Sequence, residues 1–256
     1  MTIMFETFNV PALCISYPAV LALYATGRIN GCMLECGDGV TQIVPIYDGI
    51  VISHAISRLD LGGRDLTDYM VKMLNEGGYN ISTSSEREIV REIKERLTFV
   101  SQEYDQDMLK HLEEAPQPEQ SYELPDGNVI VVGKERFRTP EALFKPWLIG
   151  KEMPGIHQFL FDTLKKCDLD TRWKLHNIFL SGGTTACPGF IGRVKNELRA
   201  LTPPAMGMRV LGPIERKHFV WIGGTTLASL RRFKELCISK AEYDEHGPSI
   251  AHTKCF

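Results

Sequence analysis

Glycine-containing turns that follow apolar runs are the feature of this sequence best suited to bind a ligand. Residues 177–198 are predicted to form a buried strand, a turn at Gly182 and Gly183, and then a helix. Such a junction points unpaired backbone N–H groups at one place, and together with the helix dipole it favours an anion, most often a phosphate. A single turn of this kind is more often a plain connection, so it decides nothing alone.

Repetition makes the ligand interpretation stronger. Residues 219–230 repeat the strand, Gly-Gly, helix pattern around Gly223 and Gly224, and residues 33–41 place a third glycine turn after an apolar run. We therefore predict one repeated architecture in which at least two of the turns face a shared ligand.

The turn at Gly37, Asp38 and Gly39 has two interpretations. An Asp-Gly pair between two apolar runs is a strong hairpin signal, and spacing alone favours a plain hairpin. Alternatively, the backbone amides of the turn cradle a phosphate while Asp38 reaches a phosphate-bound divalent cation through water. The sequence pattern leaves both interpretations open.

Composition limits the classes of function. The chain has 256 residues, 43% of them hydrophobic and 24% charged, with a net charge of −3. Interspersed charges of this balance provide no basic surface for nucleic acid or for an anionic membrane, and no apolar run is long enough to span a bilayer. Seven cysteines without a C-x-x-C pair indicate a reducing compartment rather than a disulfide framework.

Periodicity and turn residues predict the elements that would position these turns. Arg91, Lys94 and Glu95 fall on the polar face of one predicted helix, and a solvated face is the default interpretation. Strands are predicted at 4–15, 31–36, 41–47 and 208–211, helices at 19–24, 59–75, 86–100, 156–166 and 228–236, a hairpin at 122–132, and an exposed loop at 102–121.

Several ordered motifs make the chain resemble the actin family. They are LDLGGRDLTDY (59–69), EREIVREIKE (86–95), SYELPDG (121–127), LSGGTT (180–185), VWIGG (220–224) and GPSIAHTKCF (247–256). The resemblance is collinear from residue 1 to residue 256. It implies an α/β actin and sugar-kinase (ribonuclease H-like) fold, in which two similar domains enclose ATP and a divalent cation.

The resemblance also implies a division of the chain. Residues 29–218 would form the complete larger domain, and residues 1–28 with 219–256 would be the remnant of an incomplete smaller domain. About the first third of a standard actin, including its first phosphate loop, would be absent.

The resemblance assigns candidate site residues position by position. Expected ligands are ATP or ADP with Mg²⁺ or Ca²⁺, and Asp38 would contact the metal through water. The candidate nucleotide-binding residues are Gly37, Asp38, Gly39 and Val40 in a phosphate loop, Arg91, Lys94 and Glu95 at the nucleoside, Gly182, Gly183 and Thr184 beside adenosine, and Lys217 at the adenine.

Four positions depart from the family pattern. Pro18 replaces the glutamine that positions the attacking water, and Gln42 replaces a histidine beside that water. Glu35 replaces an aspartate near the metal, and Cys187 replaces a tyrosine that packs on adenine. Because positioning supplies most of the catalysis in phosphoryl transfer, we expect little or no hydrolysis.

The resulting functional hypothesis is an actin-like structural protein of the cytoplasm and cytoskeleton that acts through actin-family or actin-binding partners, with possible self-association. The alternative is an ordinary ATP-hydrolysing, filament-forming actin of which this sequence is incomplete. A groove near Tyr24, Gly27 and Thr226 would receive a partner's helix. Trp147 and Leu148 belong either to the core or to an exposed plug that contacts a partner.

Overall fold

The fold is described from a computed structural model over residues 1–112, 119–124, 127–203 and 206–255. Its strands are β1 (Ala12–Leu13), β2 (Gly31–Cys36), β3 (Thr41–Tyr47), β4 (Ile50–Val51), β5 (Ser57–Leu59), β6 (Gln120–Glu123), β7 (Val129–Val132), β8 (Asn177–Ser181), β9 (Arg209–Leu211) and β10 (Ile238–Ser239). Its α-helices are α1 (Pro18–Tyr24), α2 (Gly63–Glu76), α3 (Ser84–Leu97), α4 (Tyr104–Leu112), α5 (Glu135–Glu141), α6 (Ile156–Lys166), α7 (Leu169–Arg172), α8 (Phe190–Leu201), α9 (Phe219–Ala228), α10 (Phe233–Leu236), α11 (Lys240–His246) and α12 (Ala251–Lys254).

A six-stranded mixed sheet forms the centre of the molecule. Its strand order is β4-β3-β2-β8-β9, and β5 also pairs with β3. The β2–β3 pair is antiparallel, whereas β2 and β9 both run parallel to β8. The 31–36 and 41–47 strands and their hairpin are therefore confirmed. Because β2 and β8 are parallel neighbours, the turns that follow them meet at one edge of the sheet.

Strand β3 can contain a proline because the strand on its outer side changes from β5 to β4 along its length. Residues Thr41 to Ile43 pair with β5, and Ile46 and Tyr47 pair with β4. Pro45 lies between these two pairings, where the N–H that proline lacks is not required by either neighbour.

Alternation of side chains places apolar residues on both faces of the central sheet. Cys32, Leu34 and Cys36 belong to a core cluster that also contains residues of α2, α6 and α8. The intervening Met33 packs on the opposite face with residues of α1 and with Phe219 of α9. Because β2 is covered on both faces, it reads in the sequence as a continuous apolar run rather than an alternating one.

The stretch 219–230 does not form the predicted strand, turn and helix. It is helical from Phe219, and the helix predicted at 228–236 is replaced by the end of α9 and the short α10. A Cβ on Gly223 would lie 1.7 Å from the Leu21 carbonyl oxygen, so this glycine permits close packing of α9 against α1. The second Gly-Gly pair is therefore a helix-packing site and not a ligand turn.

The strand predicted at 4–15 is also wrong. Residues Ile3–Thr7 form a π-helical segment, and only Ala12–Leu13 is a strand, which pairs with β10 in a separate two-stranded sheet. Phe5 is buried there and stacks on Tyr243 at 4.6 Å between ring centroids. An apolar run of this length does not distinguish a strand from a buried helical turn.

The 102–121 region is not simply an exposed loop. Its first part forms α4, which carries Asp105 and Asp107 in its first turn, where carboxylates suit the helix dipole. Tyr104 is buried with its ring centroid 6.0 Å from that of Phe137. Residues 113–118 lie outside the described part of the chain.

Other expectations hold within a few residues. The helix predicted at 156–166 is confirmed, and β6 with β7 confirms the 122–132 hairpin, although its turn residue Asp126 lies outside the described residues. The helices predicted at 59–75 and 86–100 begin and end within four residues of α2 and α3, and the 208–211 strand is β9.

The division into residues 29–218 against 1–28 and 219–256 stays a prediction. In the described residues, no helix has both the length and the apolar character needed to cross a membrane.

Candidate functional site

The two remaining glycine turns lie side by side at the edge of the sheet where β2 and β8 end. Gly182 has a φ of +90°, and a Cβ there would lie 2.2 Å from the carbonyl oxygen of Cys36. The Thr184 hydroxyl donates to the Gly37 carbonyl at 2.8 Å, which joins the turns directly. Glycine is required at position 182 both for its backbone angle and for this close approach.

The N-terminus of α2 completes the floor of the site. The N–H groups of Gly63 and Arg64 donate to the carbonyls of Gly37 and Asp38 at 2.9 and 2.7 Å. The loop thus satisfies two of the helix's free N-terminal donors. Because C=O and N–H point in opposite directions across a trans peptide, the N–H groups of Asp38 and Gly39 face away from α2.

These elements border a cleft of about 950 Å³, here called the main cleft. Nine of the eleven candidate nucleotide residues lie on its wall, whereas Gly39 and Val40 do not. The nine are Gly37, Asp38, Arg91, Lys94, Glu95, Gly182, Gly183, Thr184 and Lys217. Their function as nucleotide contacts stays a prediction.

Lys94 is the buried cation of the main cleft. It lies on α3, and its ammonium donates to the Gly63 carbonyl at 2.6 Å and to the Thr67 hydroxyl at 2.9 Å. Burial lowers the pKa of Lys94, and the nearby Glu95 and Asp38 carboxylates oppose that effect. The side chain therefore ties α3 to the first turn of α2 beneath the glycine turns.

Arg91 is paired within its own helix instead of standing free in solvent. Its guanidinium bonds Glu88 and, at 2.6 Å, Glu95. These two carboxylates raise the pKa of Arg91, with Glu88 contributing most. The wall formed by α3 therefore offers a fixed array of donors and acceptors with little net charge.

Lys217 faces the cleft from the other side, in a short 3₁₀ helix over Ile214–His218. Its aliphatic carbons lie 3.8 to 3.9 Å from the place where a Cβ on Gly183 would stand. Among the residues that the structure describes, Lys217 has no ion-pair partner. Its ammonium therefore remains available to an incoming anion.

Asp38 is held by an arginine. Its carboxylate accepts from Arg64 at 2.9 and 3.2 Å, and both side chains are exposed. No group of three or more His, Cys, Asp or Glu residues able to hold a metal occurs in the described ranges. These residues fit a cation held by phosphate and water with Asp38 nearby, and they do not fit a cage made by the protein alone.

The residues that depart from the family pattern have different surroundings. Pro18 is the first residue of α1 and does not line the main cleft, nor does Gln42. Glu35 does line it, opposite Gln42 in the β2–β3 register, and burial raises its pKa. Cys187 also lines the cleft 3.6 Å from the Thr98 hydroxyl, and burial raises its pKa to about 11.

The sequence model of the family described as Actin matches residues 1–256. The chain belongs to the actin family. Its mixed sheet with helices on both faces is the α/β fold of that family, and actin-family proteins generally bind a nucleotide with a divalent cation. Two glycine turns border the main cleft of this chain.

The residues predicted to bind a partner do not all share one surface in this actin-family chain. Tyr24 is half-buried, Gly27 has a φ of +69° with open space around it, and Thr226 is exposed. A separate cavity of about 460 Å³ lies beside α1 and α9, but none of these three residues lines it. Trp147 is 66% exposed, whereas Leu148 packs against the core.

Sequence reasoning missed several residues of the main cleft. Gly63 and Arg64 lie inside a motif used to identify the family, yet no site function followed from it. A glycine pair immediately before a helix was the available signal. The other cleft residues without a predicted function are Leu66, Arg87, Glu88, Thr98, Pro140 and Ala186.

Proposed function

We propose that this actin-family chain is a cytoplasmic, cytoskeletal protein that binds ATP or ADP with Mg²⁺ or Ca²⁺ in the main cleft, hydrolyses ATP poorly, and acts through protein partners. One observation carries the proposal. Two glycine turns from neighbouring parallel strands meet at the cleft, joined by the Thr184–Gly37 hydrogen bond. That arrangement lets a phosphate approach backbone closely from two sides.

The N–H groups of the Gly37–Gly39 loop and the charge of a divalent cation support binding of the phosphates beside this loop. The N–H groups of Asp38 and Gly39 face away from α2, because the carbonyls of this loop accept hydrogen bonds from the N-terminus of α2. Lys217 lines the cleft beside Gly183, where the resemblance puts the adenine, so its ammonium would bond the nucleoside end of the ligand. A bound triphosphate would therefore meet backbone donors at the glycine turns, with the divalent cation supplying positive charge when bound.

The α3 wall supports recognition of the nucleoside. Glu95 and Arg91 present an acceptor and a donor on one helix face, and both border the cleft. Hydroxyls of a ribose can bond such a fixed pair. Cys187 offers a smaller surface to a base than an aromatic ring does, so we expect looser packing there.

Weak hydrolysis follows from the side chains at two positions. Pro18 has no side-chain donor or acceptor, so it cannot orient a water molecule. Gln42 cannot take up a proton as an imidazole can. Neither residue lines the main cleft, so this expectation rests on the family pattern, in which these two positions hold the groups that position the attacking water.

Nucleotide binding is tested by titration of the purified protein with fluorescent ATP and Mg²⁺. We expect saturable binding that Lys217→Ala weakens by about tenfold, since a charge-assisted bond is worth roughly 1.5–3 kcal/mol. Lys195→Ala removes an exposed lysine on α8 and serves as the matched control. Absence of binding at millimolar ATP, or equal loss in both variants, contradicts the proposal.

Hydrolysis is tested by phosphate release at saturating ATP. The wild-type protein should release phosphate slowly, and Pro18→Gln should raise the rate while Pro18→Ala should not. Both substitutions remove the proline from the first turn of α1, so only the new amide distinguishes them. Turnover by the wild type at the rate of ordinary actin would favour the alternative, a filament-forming ATPase.

Self-association is tested through the exposed tryptophan of the predicted plug. We expect sedimentation of micromolar protein to show assembly that Trp147→Ala reduces. Trp173 is 65% exposed and is the matched control for loss of a surface tryptophan. An equal effect of both variants, or none of either, argues against the plug.

A further inference from the structure

Two cysteines face each other at the end of the small two-stranded sheet. In the β1–β10 pair, Ala12 lies opposite Ser239 and Leu13 lies opposite Ile238. Continuing this antiparallel register by one residue places Cys14 opposite Cys237. Neither residue belongs to the main cleft.

The hydrogen-bond pattern shows which type of pair the two cysteines form. The Lys240 N–H donates to the Pro11 carbonyl at 3.0 Å, so Pro11 and Lys240 occupy a hydrogen-bonded position. Antiparallel pairs alternate in type, which makes Cys14 and Cys237 a non-hydrogen-bonded pair. Such pairs hold their Cα atoms about 4.5 Å apart, within the range of about 4.4–6.8 Å that a disulfide needs.

The Cys14 and Cys237 thiols interact with each other, and Cys14 is the more exposed of the two. Burial raises the pKa of Cys14, and the neighbouring Cys237 and Cys255 thiols raise it further. Cys14 is half-exposed, whereas Cys237 is buried and donates from Sγ to the Phe233 carbonyl at 3.4 Å. Lys254 bonds the Cys237 carbonyl at 2.8 Å and so holds α12 beside the pair.

We propose that Cys14 and Cys237 form an oxidation-sensitive dithiol that a hydroperoxide converts to a disulfide. Because its raised pKa leaves little Cys14 thiolate near neutral pH, the reaction speeds up as the pH rises. The thiolate attacks one peroxide oxygen, the O–O bond breaks, and the departing oxygen takes a proton to leave as water or an alcohol. The Cys237 sulfur then attacks the sulfenic acid of Cys14, the S–S bond forms, and the S–O bond breaks to release water. Two thiols are oxidised and one peroxide is reduced.

A second thiol pair shows why access matters. Burial raises the pKa of Cys32, and Cys167 raises it further, so these two sulfurs also interact. Both lie in the central core, where each is 2% exposed or less. A dissolved peroxide reaches the half-exposed Cys14 but not this pair.

The disulfide would join residues roughly 220 positions apart in the chain. Closing so long a loop removes much of the conformational freedom of the unfolded chain. The link would lock β1 to β10 under oxidising conditions and release it when thiols are restored. This inference is independent of nucleotide binding.

The test is oxidation of the folded full chain by an equimolar amount of hydrogen peroxide, followed by alkylation and mass spectrometry. We expect a mass loss of about 2 Da before alkylation, two fewer alkylated cysteines, and a peptide that links Cys14 to Cys237. Dithiothreitol should restore all seven alkylation sites.

Variants make the assignment specific. Cys14→Ser and Cys237→Ser should each abolish the link, whereas Cys255→Ser should keep it. If Cys237→Ser does not fold, the half-exposed Cys14→Ser carries the test. Seven alkylated cysteines after oxidation, a Cys14–Cys255 link, or a link that forms only in denaturant would each overturn the proposal.

Discussion

Two Gly-Gly-Thr-Thr segments in this chain have different structures. Gly182 and Gly183 follow the end of β8 and border the main cleft, whereas Gly223 and Gly224 lie inside α9. At position 182 the missing Cβ makes room for the end of a neighbouring strand, and at 223 it makes room for the backbone of α1. A glycine pair therefore indicates that another stretch of backbone approaches closely. Whether the pair also borders a ligand site depends on which element faces it.

The largest expected effect comes from Gly223→Ala. Its Cβ would lie 1.7 Å from the Leu21 carbonyl oxygen, so α1 and α9 must separate. We expect the free energy of unfolding to fall by about 3 kcal/mol or more in chemical denaturation.

Gly224→Ala is the matched control for that prediction. Its Cβ would meet only a Leu21 methyl group at 3.9 Å, and alanine favours a helix by up to about 1 kcal/mol. Equal destabilisation by both substitutions would show that the glycines do not serve helix packing.

Gly182→Ala should come next. A Cβ there combines a φ of +90° with a 2.2 Å approach to the Cys36 carbonyl. We expect a loss of about 2 kcal/mol or more of stability, together with weaker ATP binding.

Gly183→Ala separates the effect of the Gly182-Gly183 turn on stability from its effect on ATP binding. The nearest atoms to its Cβ are Lys217 carbons at 3.8 Å, so stability should change little. The added methyl group would border the cleft, and ATP binding should fall. Unchanged binding in this variant would argue against the phosphate interpretation of the turn.

Thr184→Val tests the bond that joins the two turns at the cleft. The variant loses the 2.8 Å donation to the Gly37 carbonyl, which keeps its bond from the Gly63 N–H. We expect a stability loss of about 1 kcal/mol in chemical denaturation. Thr226→Val, on the exposed end of α9, is the control and should change stability less.

The smallest effect concerns Glu35, an acid that lines the main cleft. The segment around Gly223 and Gly224 has no equivalent acid. Burial raises its pKa above the ordinary 4.5, so the folded state keeps a proton that the unfolded state has already released. The contribution of Glu35 to stability should therefore fall as pH rises above 4.5. Comparison of Glu35→Gln with the wild type across pH 4–7 should show that this slope is absent from the variant.

Local patterns account for the parts of the fold that the sequence predicted. The Asp38-Gly39 turn between apolar runs predicts the β2–β3 hairpin, and spacing of Ile156, Leu160 and Leu164 predicts α6. In contrast, α9 is apolar on most sides, so it lacks the periodicity that separates a helix from a buried strand.

The candidate site was predicted through family motifs more than through spacing. Resemblance placed Lys94 and Arg91 at a nucleotide, although spacing alone favoured a solvated face. Gly63 escaped notice because its importance lies in long-range contacts: a Cβ there would meet the Thr184 hydroxyl at 2.8 Å. Such a contact joins residues that are far apart in the chain, and no local pattern contains it.

The bonds from the Gly37–Asp38 loop to the start of α2 have a mechanical consequence. Helix α2 has 14 residues, so it is a rod of about 21 Å with one end fixed to the loop. A force that shifts the loop must either break both bonds or move the first turn of this helix. A displacement at the glycine turns would therefore reach the first turn of α2, which Lys94 also ties to α3.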